Sequence, residues 1–223
     1  MTTSCSSKAY GEKVQATLNR VTERRVVNYD TRDPDGVNCA LMPSKLESLE
    51  IGGNKITELP QDFELSRLTH LRSLCINHNQ LASFNFSLLP AAVENLDLNN
   101  NQLTDADLQL MPQLLNLRRV DLSSNKLRTI TGTFADSCPN LEHLSVDSNQ
   151  LREFDFSIVP ASVKQLSMSY NNIDVLRNAP SLSRLQVLVS LRFNGNPLVN
   201  IGLSVTLPSN LRRESAGVYR YSW

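Results

Sequence analysis

The sequence predicts an α/β solenoid, a horseshoe with seven parallel concave strands and short helices, turns or loops on its convex side. Three observations predict it. One eleven-residue pattern recurs seven times, its starts lie 22 to 25 residues apart, and every copy keeps an asparagine at the same place. The pattern reads aliphatic, two of any kind, aliphatic, one of any kind, aliphatic, two of any kind, Asn, one of any kind, aliphatic. Its copies are Leu46–Ile56, Leu71–Leu81, Val93–Leu103, Leu117–Leu127, Leu141–Leu151, Val163–Ile173 and Leu188–Leu198.

Alternating aliphatics such as Leu49 and Ile51, or Leu96 and Leu98, put two side chains on one face of a short strand and the residue between them on the other. One strand cannot bury that face by itself. Stacked copies can, because parallel pairing joins their aliphatics into a continuous interior and makes stability a sum over neighbours. The asparagines, Asn54, Asn79, Asn101, Asn125, Asn149, Asn171 and Asn196, fall where each strand ends and the chain must turn. There an amide can satisfy backbone groups that would otherwise be buried unpaired.

This pattern resembles the leucine-rich-repeat superfamily, and the resemblance spans Leu46 to Leu198. It implies that the seven asparagines form an asparagine ladder. The 22-residue spacings are similar to the class found in the regulatory subunit of protein phosphatase 1 and in an axonemal dynein light chain, and the 24- and 25-residue spacings depart from that class. Longer repeats leave room for helical turns on the convex face, expected at Leu65–Leu71 and Asp105–Met111. A second period overlies the first: Gln80–Val93 is echoed by Gln150–Val163. Phe84 and Phe86 should therefore match Phe154 and Phe156 on the convex side, with Pro90 and Pro160 at equivalent turns.

Three segments follow: residues 1–45 as an N-terminal helical and strand cap, 46–198 as the repeats, and 199–223 as a C-terminal cap or docking tail. Tyr10, Val14, Leu18 and Val21 recur at helical spacing within residues 8–26, and Arg25 to Tyr29 can add a strand. Asn194-Gly-Asn-Pro-Leu198 is similar to the closing sequence of many superfamily members, and Tyr219 to Trp223 ends the chain in aromatics and arginine.

Composition narrows the function classes. Lys plus Arg and Asp plus Glu stand at 22 each, so no global field draws the chain to nucleic acid or an anionic membrane. No apolar run reaches membrane-spanning length. Met1 to Lys8 lacks the apolar core of a secretory leader, and Cys5, Cys39, Cys75 and Cys138 show neither zinc-site pairs nor a clustered disulfide pattern. The expectation is a cytoplasmic protein, cytoskeleton-associated in one version, with reduced thiols.

The concave rows should carry the function. The residue between each pair of strand aliphatics is Glu50, Cys75, Asp97, Asp121, Ser145, Ser167 and Arg192 in turn. The candidate partner-binding residues are Glu50, Asn77, Asp97, Asn99, Arg119, Asp121, His143, Asp147, Gln165, Tyr170 and Arg192. A basic partner segment would suit Asp97, Asp121 and Asp147, which an open sheet should leave removable without loss of stability. His70, His78 and His143 make no metal or catalytic motif, His78 and His143 falling about 14 Å apart on the stack. No nucleophile elbow, phosphate loop or HExxH helix is present. The expected role is a non-catalytic scaffold or regulatory subunit without cofactor, metal or small-molecule substrate. The alternative is a fixed component of a cytoskeletal, axonemal or ribonucleoprotein assembly.

Overall fold

The computed structural model describes residues 42–59, 63–197 and 208–211, together with the backbone of a strand at 27–28. The helix expected over 8–26, Cys5, Cys39, Leu198 and the tail beyond 211 lie outside the described residues. In chain order the strands are β1 (Val27–Asn28), β2 (Ser48–Glu50), β3 (Ser73–Cys75), β4 (Asn95–Asp97), β5 (Asp105–Asp107) and β6 (Arg119–Asp121). They continue with β7 (Thr129–Thr131), β8 (His143–Ser145), β9 (Glu153–Asp155), β10 (Gln165–Ser167), β11 (Val175–Arg177) and β12 (Ser190–Arg192).

One strand from each repeat enters a single parallel sheet in the order β1-β2-β3-β4-β6-β8-β10-β12. Each repeat strand is three residues long, too short to persist alone. Its central aliphatic points inward, and Leu49, Leu74, Leu96, Val120, Leu144, Leu166 and Leu191 lie side by side in direct register, none more than 3% exposed. Two residues further along, Ile51, Ile76, Leu98, Leu122, Val146 and Met168 make a second buried row. The two rows belong to one continuous core.

The asparagines close the stack at the strand ends. Asn125 donates from Nδ2 to the Leu98 carbonyl of the preceding repeat at 3.0 Å and to the Leu122 carbonyl of its own at 3.1 Å, while its Oδ1 accepts from the Leu103 amide at 3.0 Å. Asn79, Asn101, Asn149, Asn171 and Asn196 repeat this three-way arrangement. Asn54, in the first repeat, bonds the carbonyls of Ile51 and Gly52 in its own turn. Every ladder asparagine follows a residue with positive φ: Gly53, His78, Asn100, Ser124, Ser148, Tyr170 and Gly195. The turn therefore has a fixed left-handed step just before the amide that fastens it.

The convex side is built from 3-10 turns at Leu65–Arg67, Phe86–Leu88, Phe156–Ile158 and Ala179–Arg184, and from one helical turn, α1, at Phe134–Ser137. The Phe84–Phe86 and Phe154–Phe156 pairs occupy matching places with edge-to-face rings, 5.1 and 5.5 Å between centroids. Asn85 and Asp155 cap the following turns in the same way, each accepting from the amide two residues on. The helical turn expected at Asp105–Met111 is replaced by β5, paired in parallel with β7. The hydroxyls of Thr129 and Thr131 donate to Asp105 and Asp107 across the pair, at 2.7 and 3.0 Å, with Ala106 buried between. That exposed, buried, exposed alternation is a strand period. A second lateral pair joins β9 to β11.

Near the far end, Asn210 donates to the Gln186 carbonyl at 2.6 Å. Asn116 and Asn140 do the same one repeat back, to Ala91 and Leu115. Asn210-Leu-Arg-Arg213 also repeats Asn116-Leu-Arg-Arg119 in sequence.

Removing one ladder amide strands buried backbone groups in two repeats at once. Asn125→Ala should lower unfolding free energy by on the order of 3 kcal/mol in urea titrations. Gln109→Ala, an exposed convex control, should stay within about 0.5 kcal/mol.

Candidate protein-binding surface

Between the buried aliphatics, positions one and three of each strand face outward on the concave sheet. The residues at position three stand in unbroken register across seven strands: Glu50, Cys75, Asp97, Asp121, Ser145, Ser167 and Arg192. At β6 to β12 the sheet forms a shallow depression of about 160 Å³. It gathers Arg119, Asp121, His143, Asp147, Gln165 and Arg192 of the expected binding residues. Glu50, Asn77, Asp97 and Asn99 lie on the other half of the sheet, and Tyr170 stands on the turn after β10, 67% exposed.

The three central acids are not free on a wet sheet. Asp97 accepts from Asn99, through both its backbone and side-chain nitrogens, and from Asn77 Nδ2. Asp147 reaches across to β10, where both carboxylate oxygens accept from the Ser167 hydroxyl and one also accepts the Ser169 amide. Asp121 accepts on Oδ1 from the amide and hydroxyl of Ser123, whose hydroxyl also meets that of Ser145 at 2.7 Å. The expectation that all three could be removed without loss of stability is corrected on this point: the Asp97 and Asp147 carboxylates tie adjacent coils together, and that of Asp121 fastens the turn of its own coil. Serine spacing alone does not reveal this, because Asp147 bonds residues 20 and 22 positions away.

Beside the strand starts runs a feature the motif reading missed. Arg72 pairs with Glu94, and Glu142 takes both Arg118 at 3.1 Å and Lys164 at 2.7 Å. Their signs alternate from coil to coil. The Lys164 hydrogen bond, reinforced by the neighbouring cations, holds the Glu142 carboxyl below its ordinary value.

Tyr170 adopts φ 56°, a left-handed backbone uncommon for an aromatic residue. Its ring lies over Gly195, where a Cβ would come within 2.7 Å of it. Of the thiols described, Cys75 is half-buried on the sheet and burial raises its pKa, while Cys138 is fully buried and pushed up to about 12.

These stacked coils can now be set beside known proteins. Residues 91–151 match the family model described as leucine rich repeat. The fold is a leucine-rich-repeat solenoid. A leucine-rich-repeat protein of Leptospira interrogans superposes with a TM-score of 0.66 at 22% identity, covering 85% of this chain and 47% of that one. An internalin of Listeria monocytogenes gives 0.61 at 22% identity, covering 79% and 48%. The leucine-rich-repeat domain of APL1B gives 0.60 at 18%, covering 70% and 43%. In sequence, mouse keratocan is 29% identical over 181 residues, 78% of this chain and 49% of the relative. The chain thus spans about half the length of the proteins it matches.

Keratocan overturns the cytoplasmic expectation, cytoskeletal association included, because it is a secreted extracellular-matrix protein. The expectation rested on Met1 to Lys8 and on unclustered cysteines, and neither fixes a compartment, because aliphatic stacking and amide ladders form equally well in reducing and oxidising surroundings without any disulfide. Among the described residues no helix is long and apolar enough to cross a membrane.

Two outcomes follow from these contacts. Asp147→Ala should cost about 1–3 kcal/mol, since it leaves the Ser167 and Ser169 donors unmatched, as measured by urea unfolding. Glu142 has a folded pKa lower than its unfolded one, so its contribution to stability is full above 4.5 and disappears as pH falls through the lower folded value. Glu142→Gln should accordingly flatten the fall in thermal midpoint between about pH 5 and pH 3.

Proposed function

We propose that this chain is a non-catalytic protein-interaction module, a scaffold or regulatory subunit that holds a partner protein against its concave sheet. The observation that carries this reading is the unbroken register of outward-facing polar side chains over seven repeat strands. With parallel strands about 4.8 Å apart, that face is roughly 30 Å across, room for an extended or helical segment. Leucine-rich-repeat folds serve in general as protein-binding surfaces, and a rigid sheet with side chains fixed by neighbouring coils loses little entropy on docking.

Eleven residues are the proposed contacts: Glu50, Asn77, Asp97, Asn99, Arg119, Asp121, His143, Asp147, Gln165, Tyr170 and Arg192. The depression at β6 to β12 supports its six members as the centre of the contact, and Tyr170 supplies an exposed aromatic at its margin. Glu50, Asp97 and Asp121 on one row support a basic stretch in the partner, since opposite charge steers encounter and sets register. The 22-residue repeats starting at Leu71 and Leu141, the length of the phosphatase-regulator class, agree with a regulatory subunit.

A photoreactive residue placed at Gln165, exposed on β10, should capture the partner in an extract of the native tissue, while the same residue at convex Gln113 should not. Capture at Gln113 with none at Gln165 would move the binding face to the other side of the solenoid.

A further inference from the structure

The row Glu50, Cys75, Asp97, Asp121, Ser145, Ser167, Arg192 runs from acidic to cationic across the sheet. Its charges are not equally available. Asp97 has donors on both carboxylate oxygens. Asp121 uses Oδ1 for Ser123, and among the described residues no hydrogen-bond donor reaches its Oδ2. The Glu50 side chain makes no hydrogen bond or ion pair among the described residues, and neither does the exposed side chain of Arg192. Among the described residues the open charges on the row are therefore negative at β2, negative at β6 and positive at β12.

These three positions are evenly placed. Sheet order puts β3 and β4 between β2 and β6, and β8 and β10 between β6 and β12. Each interval is three strand spacings, about 14 Å. In an extended chain four residues cover about 13–14 Å, and an offset of four returns a side chain to the same face. In a helix the same distance takes nine or ten residues.

We infer that the concave face reads a polarised extended segment of its partner, with basic side chains at positions i and i+4 for Glu50 and Asp121 and an acidic side chain at i+8 for Arg192. This rests on the concave-sheet reading above and deepens it, because a uniformly basic segment would set its third cation against Arg192. Arg119 is exposed one pleat from Asp121 and bars a second file of cations beside the first. The serines between Asp121 and Arg192 add no charge of their own, and the Asp147 carboxylate beside them is engaged by the Ser167 hydroxyl and the Ser169 amide, so the open charges of the row have one favoured direction.

The test uses the full chain and three labelled nine-residue peptides in a Gly/Ser background, read by fluorescence anisotropy at low ionic strength. One carries Lys, Lys and Glu at positions one, five and nine; the second carries Glu, Glu and Lys; the third carries three lysines. The first should bind about tenfold tighter than the second, the scale that three exposed ion pairs supply, and tighter than the third. Glu50→Lys/Asp121→Lys/Arg192→Glu should reverse the order of the first two. Should that variant fail to fold, Arg192→Glu alone should make the three-lysine peptide the tightest. Equal binding, no binding by any peptide, or an order unchanged by the substitutions overturns the inference. If this happens while Gln165 still captures a partner, the charge direction is wrong and concave docking stands. If Gln165 captures nothing as well, both readings fall.

Discussion

A strand of three residues has too little to bury and too few hydrogen bonds to hold its own shape. Everything in this solenoid depends on one solution to that problem, the ladder of side-chain amides at the strand exits. From the second coil onward, each amide binds a carbonyl in its own coil, a carbonyl in the coil before and an amide in the strand-exit segment of that earlier coil. Burial of the aliphatic rows supplies most of the free energy. Aliphatic contact is non-directional, however, and would tolerate slippage between coils. The amides convert a greasy stack into one with a single register, and that register lines up the outward-facing residues between them.

The concave carboxylates show how a surface can hold structural and recognition roles together. Asp97 and Asp147 are engaged by donors from their own and adjacent coils, whereas Asp121 keeps one oxygen open. A map of formal charge would treat the three alike. Their hydrogen bonds separate those that fasten the sheet from the one that can reach outward. The same distinction applies to the cations, since Arg72, Arg118 and Lys164 are paired at the flank while Arg119 and Arg192 face the depression.

The repeat period, the sheet order, the aliphatic rows and the amide ladder were all legible in the sequence, because each is a one-residue requirement repeated at fixed spacing. The equivalence of Phe84–Phe86 and Phe154–Phe156 was legible for the same reason. What escaped depends on pairs of residues. Asp105–Met111 has helix-compatible composition, and its strand forms because Thr129 and Thr131 one coil away offer hydroxyls to Asp105 and Asp107. Asp147 looked like a free acid for want of knowing that Ser167 and Ser169 sit beneath it. The left-handed steps at His78, Ser124 and Tyr170 carry no glycine to announce them. Location was misread because it was drawn from Met1 to Lys8 and from the spacing of four cysteines, neither of which fixes a compartment.

The flank of alternating charge has a bearing on how the coil is wound. Arg72, Glu94, Arg118, Glu142 and Lys164 stand in succession along the stack. If the growing chain left out a turn and laid one coil on the next but one, Arg72 would meet Arg118 and Glu94 would meet Glu142. The aliphatic interior could accept such an error almost without penalty, since all its layers are alike. At the edge such an error sets like charges together and gives up the ion pairs, a modest bias toward winding the coils in sequence.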